Sequence, residues 1–377
     1  MKKKIMYITQ SNGGVTKYLE MLFKYMDRSK YEQILIYPTE YIDEKYKFDN
    51  LVDSIEFINM SREINPIKDF KAIININKLI KKYNPDLIYV QSSKAGALGR
   101  IANLVIGKPI IYNPHGWAFN MEVSKIKKKI YILIEKILAN ITDYIIAISK
   151  QEKESALYNK ICSKEKIKVI FNGIDIEAYD KSKIANSNFR EKYKIPKDAV
   201  VFGMVGRISK QKSPDIFIKS AVKIKQQISN AFFVIVGDGD NRDEIELLIN
   251  ELGLKKSVLI TGWVNNTYEY INTFDIAMLL SRWEGFGLAV AEYMISNKPI
   301  IATAVDAIPN LIENNVDGIL INKDSIDECV CAAINLINNN QLRKKFILNG
   351  NKKVRRMFDV KRVVLEHDAI INKILNK

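Results

Sequence analysis

Residues 274–303 read FDIAMLLSRWEGFGLAVAEYMISNKPIIAT. FDIAMLL is short, apolar and bounded by polar or turn residues, the pattern of a buried strand. SRWEGFG is a turn whose glycines suit a sharp bend or a close approach of backbone to a ligand. A helix begins near Leu288, and KPIIAT is a second strand. Strand, loop, helix and strand in this order form a βαβ crossover, the unit of a parallel sheet covered by helices on both faces.

The same rhythm runs through the chain. AVVFGMVG (199–206), AFFVIVG (231–237), SVLIT (257–261) and GILIN (318–322) read as further strands. So do KKIMYIT (3–9), QILIYP (33–38), DLIYVQ (86–91), PIIYN (109–113), DYIIAIS (143–149) and IKVIFN (167–172). Helical patterns lie between them, among others over 15–26, 66–82 and 124–139. Residues 180–198 are polar and break the rhythm. The expectation is an α/β protein of two Rossmann-like domains facing across a cleft. The first covers residues 1–185 and the second 186–358, with a helix over 359–377 crossing back to the first.

Composition bounds the function. With 377 residues, 47% of them apolar and 27% charged, the chain has room for two domains and reads as soluble and globular. No apolar run approaches bilayer length, and MKKKIMYIT is a poor signal peptide. Three cysteines, Cys162, Cys329 and Cys331, show no metal-finger spacing and form no even disulfide set. The expected location is cytoplasmic. Two histidines, His115 and His367, exclude a multi-histidine metal site. Of the net charge of +15, residues 1–190 carry +11. Such an excess suits nucleic acid, an anionic membrane or a phosphorylated substrate, or is merely a set of solvated lysines. The chain has no nucleic-acid docking motif.

In doubly wound sheets ligands bind beyond the carboxyl ends of strands. There the sequence places Gly13, Gly14, His115, Asn172, Arg207, Lys212, Gly262, Trp263, Val264 and the run Glu284 to Leu288. Arg207 and Lys212 share one loop, where a fork and a point charge can hold the two phosphates of a diphosphate; a solvated basic loop is the alternative. Gly285, Phe286, Gly287 and Leu288 open a helix, whose first N–H groups attract anions and hydroxyl oxygens. Glu284 would stand beside those donors. Glu292 could accept two hydrogen bonds from a ribose diol. The plainer alternative leaves Glu284 as a favourable charge at a helix start and Glu292 solvated. Asp238 and Asp240 suggest a metal, but Asp240 is better explained as the N-cap of the following helix. His115 follows a strand, a position facing the cleft, although a lone histidine is more often structural. His367 reads as solvated. Gly13 and Gly14 are half of a dinucleotide fingerprint, and Trp263 suits a core as well as a ligand.

Together these segments resemble a known family. EGFGLAVAE (284–292) is similar to the E-x7-E signature of the retaining, nucleotide-sugar-dependent glycosyltransferases of family 4, which have the GT-B fold. KPIIATAVDAIPNLIENNVDGILI, GMVGRISKQKS (203–213), AISK (147–150), FNGID (171–175), NPHGWAF (113–119) and NGGVTKYL (12–19) resemble its other landmarks, in order. One departure is Ser213, where the family usually has glycine. YNPHGWAF and SSKAGALGR resemble the subset that builds bacterial capsular, exopolysaccharide or O-antigen chains.

The resemblance implies a hexosyl transfer with no cofactor and no metal. By it Arg207 and Lys212 stabilise the leaving diphosphate, Glu284 holds the sugar, and His115 meets the reacting region. Gly13, Gly14, Asn172, Gly262, Trp263, Val264, Phe286, Gly287, Leu288 and Glu292 become donor contacts, and a glycan or lipid-linked sugar becomes the acceptor. A UDP-sugar epimerase or a noncatalytic sugar-nucleotide-binding protein of the same fold is the alternative. The basic amphipathic helix over 124–138 has two readings: a core-packed helix with a solvated basic end, or a peripheral contact with an anionic membrane.

Overall fold

The computed structural model describes the chain except for residues 11–12, 62, 122, 183–188 and 377. Contacts divide it into two compact units, Met1–Gly173 with Val360–Lys377, and Ile174–Asp359. The expected boundary at 185–186 and Asn12 of the N-terminal glycine loop lie outside the described residues.

In unit 1 the strands are β1 (Lys3–Ile8), β2 (Tyr31–Pro38), β3 (Ser54–Ile58), β4 (Leu87–Gln91), β5 (Ile110–Asn113), β6 (Tyr144–Ala147) and β7 (Ile167–Val169). They pair in parallel in the order β3-β2-β1-β4-β5-β6-β7. The helices between them are α1 (Gly14–Tyr25), α2 (Pro66–Tyr83), α3 (Ser93–Asn103), α4 (Lys125–Ala139) and α5 (Lys150–Tyr158).

Unit 2 opens with α6 (Ile176–Ser182) and α7 (Phe189–Lys192). Its strands are β8 (Val200–Val205), β9 (Ala231–Val236), β10 (Val258–Ile260), β11 (Ile276–Leu279), β12 (Ile300–Thr303) and β13 (Ile319–Ile321), ordered β10-β9-β8-β11-β12-β13 and again all parallel. Its other helices are α8 (Pro214–Gln227), α9 (Arg242–Glu251), α10 (Thr267–Ile271), α11 (Leu288–Ile295), α12 (Ile308–Leu311), α13 (Ile326–Asn338) and α14 (Asn340–Met357). The chain then returns to unit 1 as α15 (Val360–Leu375), which packs on α1.

Alternation along each strand builds the cores. In β1, Ile5 and Tyr7 face one cluster, with α1 and α15, while Met6 and Ile8 face another, with α2 and α3. In unit 2, Phe202 and Met204 of β8 join Phe233, Met278 and residues of α8, α9 and α13. Both sheets are thus covered on both faces, as all-parallel sheets require. In each, strand order reverses beside the first strand, between β1 and β4 and between β8 and β11. The crevice for a ligand lies at the carboxyl ends of such a strand pair.

Two readings of the sequence need correction here. The apolar stripe of the 124–138 helix packs into the core only at its end: Leu138 is 6% exposed, but Ile126, Ile130, Leu133, Ile134 and Ile137 are 38 to 73% exposed, while Glu135 is buried. His367 is not solvated but 1% exposed. Its Nε2 lies 2.7 Å from the Tyr18 hydroxyl and 3.0 Å from that of Tyr89, and its Nδ1 2.7 Å from the Val363 carbonyl. These bonds satisfy a polar ring in a place where an unpaired one would be costly.

Candidate functional site

The loop after β8 carries Arg207 and Lys212. A short 3-10 turn over Lys210–Lys212 leads to Ser213, which adopts φ 52° and ψ 49° before Pro214 starts α8. That left-handed conformation is one glycine takes freely, which is why Ser213 matters as a departure from the family pattern. Two neighbouring loops approach so closely that a Cβ on Gly237 would sit 2.1 Å from the Gly206 carbonyl oxygen.

The loop after β11 carries Ser281, Arg282, Trp283 and Glu284. Lys212 Nζ forms an ion pair with Glu284 Oε1, and Ser281 Oγ donates to the same oxygen at 2.8 Å. The Glu284 N–H donates to Asp306 Oδ2 at 2.8 Å. Burial, then the Glu284 charge, holds the Asp306 carboxyl above its ordinary range against the pull of that hydrogen bond. Gly287 follows at φ 92° and serves as the N-cap of α11; a Cβ there would press on Ile308 at 2.6 Å. Phe286 is buried and packs edge-on against Phe358. The start of α11, with Leu288 at its head, therefore stands beside Glu284.

Glu292 lies farther along α11 and is buried, not solvated; Thr267 Oγ1 donates to it at 3.3 Å. Arg207 is half exposed and lies 3.6 Å from Asp240. Asp240 does not cap α9: that position belongs to Asn241, whose side chain makes no capping hydrogen bond among the described residues. Asp238 instead bonds Arg242. Gly262 takes φ 73°, Trp263 is 68% exposed and so no part of the core, and Val264 follows.

The sequence reading missed what ties these loops together. Arg282 donates to both carboxylate oxygens of Asp215 at 3.1 and 2.8 Å, to Asp324 at 2.8 Å and to the Lys210 carbonyl at 2.9 Å. Gln211 Nε2 donates to the Trp283 carbonyl at 3.0 Å. Arg282 lies within the strand–loop–helix stretch 274–303, and its spacing gave no sign of a partner 67 residues away. Asp306 was equally silent.

In unit 1, Gly13 (φ 82°) and Gly14 begin α1 after β1. His115 follows β5 at φ 52°, its Nε2 2.6 Å from Gln91 Oε1 and its ring edge-on to Tyr18. Burial, with a smaller push from His367, drives its pKa down to about 3, so the ring is neutral near pH 7. Glu152, also missed, holds this loop: its carboxylate accepts the N–H groups of Gly116 at 2.6 Å and Ile148 at 2.5 Å. Its carbonyl accepts Trp117 Nε1 at 2.8 Å. Asn172 is buried, and its Oδ1 finds no partner among the described residues. A 350 Å³ cavity lined in part by Arg100, Lys108 and Asn140 lies at the other end of this sheet, near the starts of β5 and β6.

Unit 2 thus gathers a cation, a carboxylate and a helix start at the carboxyl ends of β8 and β11, with a second cation, Arg207, on the same loop as the first. Such a set can neutralise a polyphosphate and bond neighbouring hydroxyls. Among the described residues no group of His, Cys, Asp and Glu side chains gathers that could hold a metal ion.

Comparison with known proteins gives a consistent pattern. The profile of Glycosyltransferase Family 4 matches residues 12–178, and that of Glycosyl transferases group 1 matches residues 185–353. The chain is 32% identical over 344 residues to the Escherichia coli UDP-Gal:alpha-D-GlcNAc-diphosphoundecaprenol alpha-1,3-galactosyltransferase, covering 90% of this chain and 87% of that protein. It is 27% identical to the Staphylococcus aureus capsular polysaccharide biosynthesis glycosyltransferase CapM, over 89% of this chain and 88% of the other. In fold it is similar to Anabaena HepE in complex with UDP and glucose, with a TM-score of 0.84 and 22% identity over 98% of this chain and 100% of that one.

Proposed function

The chain belongs to the GT-B glycosyltransferases, and from that premise we propose that it moves a hexosyl group from a UDP-sugar to a polyprenyl-diphosphate-linked or glycan acceptor in bacterial surface polysaccharide synthesis. The transfer retains the sugar's configuration and needs no metal. One observation carries the reading: Lys212, Glu284 and the start of α11 meet at the switch point of the second sheet. The E. coli relative, by its name, uses UDP-galactose and a lipid diphosphate acceptor, which supports the same classes here.

In this reading Arg207 and Lys212 take the diphosphate. Glu284, released from Lys212, bonds the sugar hydroxyls with the N–H groups around Phe286, Gly287 and Leu288. Glu292 takes the ribose, Gly262, Trp263 and Val264 the base. By the family resemblance Gly13, Gly14 and Asn172 are donor contacts, His115 meets the reacting region, and unit 1 receives the acceptor. The acceptor hydroxyl attacks the anomeric carbon from the face the diphosphate leaves, and the departing phosphate oxygen takes the hydroxyl proton. Catalysis then consists of holding the partners together and stabilising the charge that develops on the diphosphate.

The test is a panel of UDP- and GDP-hexoses with a polyprenyl-diphosphate-linked N-acetylhexosamine, in EDTA, with the product's anomeric configuration read by NMR. One UDP-hexose is expected to yield a product of unchanged configuration. Interconversion of the sugar nucleotide without transfer would establish the epimerase reading, and binding with no turnover the noncatalytic one.

A further inference from the structure

Helix α4 is turned with its one carboxylate, Glu135, inward and most of its apolar face outward. Glu135 accepts from Arg100 at 2.9 Å and from Tyr112 at 2.8 Å, and the Arg100 guanidinium lies 3.8 Å from the Tyr112 ring centroid. Arg100 and Tyr112 are fully buried. This buried set clamps α4 to α3 and β5 by its carboxylate. An amphipathic helix of a soluble domain normally buries the opposite face.

At about 100° per residue, Ile126, Ile130, Leu133, Ile134 and Ile137 fall within a stripe roughly 100° wide, and Glu135 stands on the far side. Lys127 borders the stripe on one side, and Lys125, Lys129 and Lys136 on the other. The neighbouring helix α3 ends in exposed Leu104 and Val105. Soluble chains rarely leave so continuous an apolar strip open to water. Lysines on both borders can reach up to phosphate groups while their stems lie along apolar surface.

We propose that the outer face of α4 is a docking surface for an anionic lipid bilayer, with the helix lying in the plane of the headgroups. Its isoleucines and leucine enter the acyl boundary and its lysines pair with lipid phosphates. The charge on both borders favours a lipid over a second copy of this chain, whose own α4 would bring like charges together. The surface goes beyond the transfer reading, and either can fail without the other.

The test is co-sedimentation of the full chain with vesicles of phosphatidylcholine alone or with 30 mol% phosphatidylglycerol, at low and high salt. The wild type is expected to bind the anionic vesicles and to leave them as salt rises. Lys125→Gln/Lys127→Gln/Lys129→Gln is expected to weaken binding on the order of a hundredfold. Ile130→Ser/Leu133→Ser is expected to abolish it. Both variants alter exposed side chains, and an unchanged Tm and unchanged hydrolysis of the UDP-sugar in solution show that they remain folded. Equal binding by wild type and variants overturns the proposal. So does concentration-dependent dimerisation that Ile130→Ser/Leu133→Ser removes, which would assign the strip to a second copy. Vesicle binding without turnover of any sugar nucleotide would sink the transfer reading and leave the surface standing.

Discussion

Lys212 and Glu284 form an ion pair across 72 residues of sequence, each on the loop that follows a strand at the centre of the second sheet. Both side chains are largely out of water, 18% and 6% exposed. Each therefore keeps the other's charge compensated, and in the proposed reading a donor would bring an anion for Lys212 and hydroxyls for Glu284. Removing Lys212 strands a buried carboxylate. Lys212→Ala is expected to cost about 3 kcal/mol in stability and to lower kcat roughly tenfold to a hundredfold. Urea denaturation and donor turnover measure the two. Near-normal turnover in Lys212→Ala would remove the residue from its assigned role.

The Arg282 side chain bonds Asp215, Asp324 and the Lys210 carbonyl at once. It fixes the loop that carries Arg207 and Lys212. Arg282→Ala is expected to raise KM for the donor several-fold with a smaller change in kcat, because the cations survive but are no longer held in place. Arg282→Lys should rescue little, since an ammonium cannot span both oxygens of Asp215. Steady-state kinetics of the two variants decide the matter; equal KM values in wild type and Arg282→Ala count against the tether.

Ser213 holds a left-handed backbone conformation and a buried hydroxyl with no partner among the described residues. The conformation costs a residue with a Cβ about 1 kcal/mol, and the orphaned hydroxyl adds to it. Ser213→Gly relieves both but loosens the unfolded chain. The net expectation is a gain of about 1 kcal/mol or slightly less, read as a rise in Tm with kcat unchanged. A drop in Tm would show that the serine contributes something the backbone angles do not reveal.

Burial pushes the Glu152 carboxyl up to about 7, although the Ile148 and Gly116 N–H groups pull the other way. In the unfolded chain it titrates near 4.5, so between those two values the folded protein binds more protons than the unfolded one. Stability from this group is complete below about pH 4.5 and is lost as pH rises through 7. Glu152→Gln removes the titration and keeps one acceptor for the loop. The stability of the variant relative to wild type is expected to increase between pH 5 and pH 8, by on the order of 2 to 3 kcal/mol. His115 and His367, driven down to about 3 and about 4, act in the opposite sense and weaken the fold as pH falls below 6.5. The difference between wild type and Glu152→Gln cancels their part, so a flat difference across that range would show that Glu152 does not titrate there.

Much of the fold was legible because parallel strands buried on both faces are continuous apolar runs. Every expected strand formed, and the helix expected over 359–377 runs from Val360 to Leu375. The missed strand, β3, is SIEFI, a half-polar edge strand that only its pairing with β2 identifies. His367 had a signal that was overlooked: it sits seven residues after Val360 and three before Ile370, on the buried stripe of α15.

The sequence by itself determined two parallel α/β units and the loops at strand ends where chemistry would gather, because local periodicity and turn residues are properties of short stretches of chain. Only the tertiary structure decided which groups pair across those loops, that Arg282 and Asp306 support them, and that α4 faces water with its isoleucines. Helical period shows that a helix has two unlike faces but not which of them turns inward. For α4 that choice was made by Arg100 and Tyr112, two distant residues that hold a single carboxylate in the core.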